Sequence, residues 1–265
     1  MSNFNGKVVF VTGAAMGNGK GAAEVFAKKG AHVVLADVSD VLDETEKEFL
    51  NKGYSVSSVK FDVSDAKACN NAVKEVIKEY KKIDVLLNNA GICKLAPFLE
   101  MSLELRDLHF DINIKGIWNV ARAIFPYMVK AKSGRIINMS SVTGTMVADA
   151  GETAYATTKA AIWGFTKALA FEAAAYNITV NAVCPGYVKT PMAEAIAKQS
   201  SPDNPEKVLA DMAKAIPLKR LCTIEEIGNL CCFLGSDESS YITGTQVVID
   251  GGSTLPETFG NIGVS

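Results

Sequence analysis

The chain is poor in the residues that build metal centres and covalent cross-links. It has only two histidines, His32 and His109, and neither sits near a run of Cys, Asp or Glu. A zinc site needs several such ligands at short fixed spacings, so no metal is expected. The six cysteines include no C-x-x-C pair. They read as free thiols in a reducing cytoplasm, not as a disulfide framework. No apolar stretch approaches the roughly 20 residues that span a bilayer. The opening residues Met1 to Lys7 lack signal-peptide character. A cytoplasmic protein with no membrane partner is therefore expected. An excess of charge of one sign is also missing, since the formal net charge is −2. A phosphate-backbone binder needs clustered Lys and Arg, so no nucleic-acid partner is expected.

What is present is a regular alternation of short apolar runs and longer helical patterns. Strands are predicted at Lys7–Thr12, Ala31–Ala36, Tyr54–Phe61, Ile83–Leu87, Gly134–Met139, Ile178–Val183 and Gln246–Ile249. Helices fall between them, the longest over Thr153 to Tyr176, with two helical segments between Ser102 and Lys130. Ser64 is positioned to cap one helix, and Thr223 with Glu226 spells a capping box for another. Near-continuous apolar strands alternating with helices imply a parallel sheet covered on both faces. The expected fold is α/β: a doubly wound, Rossmann-like parallel sheet of seven strands, as one domain over residues 1–265. The segment at about 190–215, broken by prolines, is expected to act as a substrate lid. The tail 251–265 either covers a neighbouring subunit's pocket or ends as a disordered tail.

In such sheets ligands bind beyond the carboxyl ends of the strands, so those loops carry the functional reading. The first strand runs into Thr12-Gly13-Ala14-Ala15-Met16-Gly17-Asn18-Gly19 and then a helix. Glycines at that junction let backbone amides approach a pyrophosphate at the positive end of the helix. Asp37 closes the second strand, twenty-four residues after Gly13. An acid there accepts hydrogen bonds from a ribose 2′-hydroxyl and repels a 2′-phosphate by roughly 4 kcal/mol per unit charge before screening. Met16 and Val38 offer no cation to relieve that repulsion. NAD(H) is therefore the expected cofactor. Ser39 and Asp40 are expected to cap the following helix, which leaves Asp37 free for the ribose. Asn88-Asn89-Ala90-Gly91 after the fourth strand suits a wall that packs on the cofactor and ties adjacent strands together.

Tyr155 and Lys159 are four residues apart on a helical pattern and so share a face. A free phenol titrates near 10, and lowering it about three units takes roughly 4 kcal/mol. An ammonium about 4 Å away in a partly buried site supplies that much. With Thr12-Gly13, Gly17, Gly19, Asn88-Asn89-Ala90-Gly91, Asn113, Ser140-Ser141 and Pro185-Gly186 in order, the chain resembles the short-chain dehydrogenase/reductase family over nearly its whole length. Within that family, Asp111–Gly116, Gly151–Tyr155, Pro185–Val188 and Ile249–Glu257 carry a closer resemblance to the bacterial UcpA-type oxidoreductases.

The resemblance implies roles. Tyr155 is the proton donor and acceptor, Lys159 lowers its pKa and holds the nicotinamide ribose, and Ser141 binds the substrate oxygen. Asn113 holds a water that links Lys159 to solvent. Gly13, Met16, Gly17, Asn18 and Gly19 would line the phosphates. Asp37, Asp62, Val63, Asn89, Ala90 and Gly91 would line the adenosine side. Pro185, Gly186, Val188 and Thr190 would line the nicotinamide. A homotetramer is also implied, packed through helices of the 102–130 and 153–176 regions. Two departures stand out. Asn18 replaces a usual aliphatic residue, and Ser141 lies fourteen residues before Tyr155, one more than usual. The extra residue is placed in the 145–153 loop, with Ser140 as the fallback serine.

The substrate wall is expected from Val142, Thr143, Val147, Tyr187, Met192 and Ile196, together with Ser141 and Tyr155. That lining is mostly apolar and has no cation to clamp an anionic group. A neutral or amphipathic alcohol or ketone fits, with a hydroxysteroid or other bulky secondary alcohol as the leading expectation, then a sugar or polyol, then a small ketone. Two competing readings are kept. An NADPH-dependent acyl-carrier ketoreductase conflicts with Asp37. A non-catalytic cofactor-sensing module conflicts with an intact Tyr155/Lys159 pair.

Overall fold

The computed structural model describes residues 3–256. Seven strands form one parallel sheet: β1 (Val8–Thr12), β2 (His32–Asp37), β3 (Val56–Lys60), β4 (Val85–Asn88), β5 (Gly134–Met139), β6 (Ile178–Pro185) and β7 (Gln246–Ile249). Their spatial order is β3-β2-β1-β4-β5-β6-β7, every neighbouring pair parallel. The order reverses between β1 and β4, which opens a crevice where their carboxyl ends diverge.

Strand alternation sorts the core into two layers. Val9 and Val11 of β1 join Phe4, Phe26, Phe49, Ile227 and Cys231 on one face. Val8 and Phe10 join Val73, Val76, Ile124 and Ala173 on the other. The first layer is closed by α1 (Gly17–Lys28), α2 (Leu42–Asn51) and α9 (Ile224–Leu234). The second is closed by α3 (Ala66–Tyr80), α5 (Gly116–Ala131) and α6 (Thr153–Ala174). Strands β1, β4, β5 and β6 are buried along their whole length, which is why they read as continuous apolar runs, while the edge strands β3 and β7 are only partly buried. Each fully buried phenylalanine, such as Phe10 or Phe26, contributes about 1.5–3 kcal/mol. All six cysteines are free thiols.

Several boundaries differ from the sequence reading. Asp65, not Ser64, caps α3, its carboxylate accepting from the Lys67 and Ala68 amides at 2.7 and 3.1 Å. Ser64 instead donates its own amide to Asp62. Neither Ser39 nor Asp40 caps α2. Its N-cap is Val41, without a side-chain bond, because Asp40 turns outward to pair with Lys60. The Ser102–Lys130 stretch holds α4 (Leu103–Phe110), a π-helical turn (Asp111–Lys115) and then α5. The capping box at Thr223 and Glu226 is present. Residues 190–215 fold as α7 (Pro191–Ser200) and α8 (Pro205–Ala215). This pair is lightly anchored: α7 buries only Ala197, and α8 buries nothing. Of the 251–265 tail, residues 257–265 lie outside the described residues.

Candidate active site

The site begins where β1 ends. Gly13 has φ +65°, and a Cβ there would stand 2.8 Å from Asn89 Nδ2 and 2.9 Å from the Ala90 backbone. A Cβ on Gly19 would lie 2.0 Å from the Gly13 carbonyl oxygen. Both positions therefore demand glycine for close backbone approach. Met16 caps α1 with no side-chain hydrogen bond, which leaves the helix's first amides for an anion. Asn18 Oδ1 is buried with no partner among the described residues. Thr190 lies against the loop, 3.8 Å from where a Gly17 side chain would begin. An open helix terminus, a cradle without side chains and an orphaned acceptor fit a bound dinucleotide.

The neighbouring loop is locked to this cradle. Thr12 Oγ1 accepts from the Asn89 and Ala90 amides at 2.9 and 3.1 Å. Asn89 Nδ2 returns bonds to the Thr12 and Gly13 carbonyls at 3.0 and 3.1 Å. Thr12 is a functional position that the glycine spacing alone did not reveal. Asn89 ties strands as expected. Asp37 is less free than expected. Its carboxylate accepts from Ala15 at 2.9 Å, Val38 at 2.8 Å and Ser39 at 3.0 Å. These three amides aim it across the mouth of the glycine loop, beside the end of β2. Asp62 accepts from Ser64, and Val63 packs where Gly116 leaves room, with a Cβ there only 2.6 Å away.

Tyr155 and Lys159 rise from the first turns of α6. Ser140 and Ser141 follow β5, and the two serines divide cleanly. Ser140 Oγ donates to the Lys159 carbonyl at 2.8 Å and is spent on backbone. Ser141 is in hydrogen-bond contact with the Tyr155 phenol, and its Oγ accepts from Thr143 at 3.1 Å. Gly144, with φ +86°, lets the chain turn against α6; a Cβ there would meet the Ala156 carbonyl at 2.1 Å. The Lys159 ammonium lies 5.5 Å from the Tyr155 ring centroid and donates to the Met139 carbonyl at 2.8 Å.

Asn113 sits in the π-helical turn and is fully buried. It accepts from the Ile92 amide at 2.8 Å and donates to the Ile92 carbonyl at 2.9 Å and to Thr158 at 3.0 Å. Gly91 brings it beside Lys159: a Cβ at Gly91 would lie 3.2 Å from Asn113 Oδ1 and 3.7 Å from Lys159 Nζ. Thr158, unremarked in the sequence, completes this clamp. Its signal was its place in the same helical turn as Tyr155 and Lys159.

The electrostatics differ from expectation. Burial pushes the Tyr155 phenol up, Cys93 and Glu152 add to that, and only the Ser141 hydrogen bond opposes it. Burial pushes Lys159 down, to about 8. The lysine does not hold the phenol low in this structure, because its ammonium is desolvated and committed to Met139. Burial also drives the adjoining Cys93 thiol up to about 12, so it stays protonated.

Around this centre, Thr143 and Val147 pair across a tight loop, and Val142 is buried beneath it. Tyr187 donates its phenol to Asp149 at 3.2 Å. Met192 and Ile196 lie on α7, with Thr190 as its N-cap. Pro185 and Gly186 end β6 and lie against β7, a Gly186 Cβ falling 2.8 Å from Asp250. Val188 is buried and bridges to Cys222. Of the expected lining residues, Val147 borders a surface hollow shared with Gly144, Met146 and Ala156, and Glu152, absent from that expectation, lies within electrostatic reach of Tyr155 and Tyr187.

Among the described residues, no helix is long and apolar enough to cross a membrane, and no His/Cys/Asp/Glu group could hold a metal. Over residues 13–254 the chain matches a protein family described as enoyl-(acyl carrier protein) reductase. It is 57% identical over 258 residues to oxidoreductase UcpA of Salmonella typhimurium, covering 97% of this chain and 98% of that one. It is 42% identical over 251 residues to 3-oxoacyl-(acyl-carrier-protein) reductase FabG of Thermotoga maritima, covering 94% and 98% respectively. The crystal structure of levodione reductase superposes with a TM-score of 0.92 at 32% identity, covering 95% of this chain and 99% of that one. Sheet order, glycine cradle, tyrosine–lysine pair and these likenesses agree: the chain belongs to the short-chain dehydrogenase/reductase family of oxidoreductases.

Proposed function

We propose that the protein transfers a hydride between NAD(H) and a secondary alcohol or ketone. The observation that carries this reading is the convergence of Ser141, Tyr155, Lys159 and Asn113 beside the Gly13–Gly19 cradle. The nicotinamide supplies hydride chemistry when bound. The chain's own residues do the rest. The glycine loop and the α1 terminus hold the pyrophosphate, Asp37 accepts from the adenosine ribose, and Lys159 reaches the nicotinamide ribose.

Tyr155 moves the substrate proton at its phenol oxygen. In ketone reduction it donates to the carbonyl oxygen as that oxygen gains charge, while Ser141 donates a second hydrogen bond. Burial favours the protonated phenol, the form that reduction needs. In alcohol oxidation the phenol must first lose its proton. Rising pH drives that loss, and the positive charge of an oxidised nicotinamide would favour it, so oxidation gains most from alkaline pH. Asn113 keeps the Ile92 backbone and Lys159 in register and, through water, offers the proton a route outward. The α7–α8 pair serves as the lid. The exposed apolar face of α5 and α6 supports a tetramer, and six free thiols suit a reducing cytoplasm.

The test is initial-rate kinetics on a panel of secondary alcohols and ketones with each nucleotide. NAD(H) should exceed NADP(H) in kcat/KM by at least about tenfold, and Tyr155→Phe should lower kcat about 10²- to 10⁴-fold. Full activity in Tyr155→Phe, or equal efficiency with NADP(H), would overturn the reading. Likeness to an acyl-carrier ketoreductase favours a second reading, NADPH-dependent reduction of 3-oxoacyl thioesters. Asp37 stands against it, and the same assay with a thioester separates the two.

A further inference from the structure

Glu152 stands immediately before α6, three residues ahead of Tyr155. On a helix that spacing puts both side chains on one face, with β-carbons about 5–6 Å apart. At a helix N-cap the short polar side chains of Ser, Thr, Asp and Asn accept from the helix's own free amides. Glu152 does not: it is the N-cap residue, yet its side chain makes no capping bond. The carboxyl lies instead near the Thr143 hydroxyl and the Tyr155 phenol. It is close enough to Tyr155, Cys93 and Tyr187 to act on all three electrostatically, and it interacts with the Thr143 hydroxyl. Its Oε2 is shielded from solvent and has no hydrogen-bond partner among the described residues.

A buried acceptor left unpaired is costly, and such an atom beside a reacting centre is a docking point for a donor. Tyr187 closes over this region through its bond to Asp149. Both of those residues are exposed, so that closure opens readily.

Resting on the oxidoreductase reading above, we propose that Glu152 is a specificity-determining residue that accepts a hydrogen bond from a second hydroxyl of a polyhydroxylated substrate. Tyr155 and Ser141 take the reacting carbinol oxygen, and Glu152 takes a hydroxyl one or two carbons away. Burial and the nearby Asp149 raise the Glu152 carboxyl above its usual range. A donor brought by the substrate relieves that destabilisation, which a plain hydrocarbon does not. The pair Glu152 and Asp149 also disfavours substrates with a carboxylate or phosphate at this position.

The test compares trans-cyclohexane-1,2-diol with cyclohexanol, each with NAD and with NADP, in wild type, Glu152→Ala and Glu152→Gln. The wild type should favour the diol in kcat/KM by at least about tenfold. Glu152→Ala should cut that ratio about ten- to a hundredfold, chiefly through KM, and Glu152→Gln should restore part of it. Calorimetric binding of the diol to Tyr155→Phe should weaken in parallel when Glu152→Ala is added. A wild type without diol preference, or an alanine variant that loses both alcohols equally, overturns the proposal while leaving the oxidoreductase reading intact. A wild type inactive on both alcohols with either nucleotide overturns both.

Discussion

At the scale of single residues, the pair at the centre of the site is held away from its ordinary chemistry by burial. The phenol of Tyr155 rises and the ammonium of Lys159 falls to about 8. A lysine lowered in the folded state destabilises the fold wherever it is still charged there. Between about 8 and 10.5 the unfolded chain binds more protons than the native one, so stability rises with pH through that window. Below it the full cost persists. Lys159→Met should therefore be more stable than wild type at pH 7, by about 1–3 kcal/mol once the lost bond to Met139 is counted. That gap should close as pH climbs from about 8 to 10.5, while turnover is lost throughout. Urea unfolding across that range checks it; a destabilised methionine variant at pH 7 contradicts the burial argument. The residue types at this site were legible from spacing, but their ionisation was not. Spacing put an ammonium beside a phenol, and only the packing showed that the ammonium is spent on a carbonyl.

At the scale of elements, the strand ends position the site and the helices close it. Gln199 near the end of α7 accepts from the Leu95 amide at 3.3 Å and donates to the Leu95 carbonyl at 2.9 Å. This two-bond latch joins α7 to the loop after β4. The bonds are exposed, so each contributes about 0.5–1 kcal/mol. Gln199→Ala should raise amide exchange across Pro191–Ser200 by about three- to tenfold, read by mass spectrometry, and should raise substrate KM more than it changes kcat. Unchanged exchange would show that the helix pair holds itself shut. Helix existence was legible along most of the chain, but helix ends were not. Ser64 was the expected cap of α3, but the Asp65 carboxylate takes the Lys67 and Ala68 amides. The π-helical turn at Asp111–Lys115 left no periodic trace in the sequence, yet it frames Asn113.

At the scale of the whole molecule, the reversal of strand order between β1 and β4 brings together loops separated by 77 residues of chain. The same topology leaves α5 and α6 side by side on one surface. Trp118 is 54% exposed and Phe171 88% exposed there, beside an apolar groove of about 310 Å³ lined by Ile114, Ile117 and Phe165. The proposed interface between copies of this chain would lie on these exposed aromatics of adjoining helices. The double variant Trp118→Glu/Phe171→Glu should shift light-scattering mass to a smaller species; an unchanged assembly would place the interface elsewhere.

The sequence by itself determined the α/β alternation, the glycine cradle, Asp37 and the Tyr155–Lys159 spacing. Those features follow from local rules: strand and helix period, glycine where backbones must touch, and four residues per helical face. The tertiary structure alone decided three things. It separated Ser141 from Ser140 by giving the latter a backbone carbonyl to bind. It engaged Asp37 with three loop amides. It left Glu152 without a capping bond to α6 and set its carboxyl beside Tyr155. Each depends on which atoms from distant strands share a desolvated volume, and no local pattern encodes that.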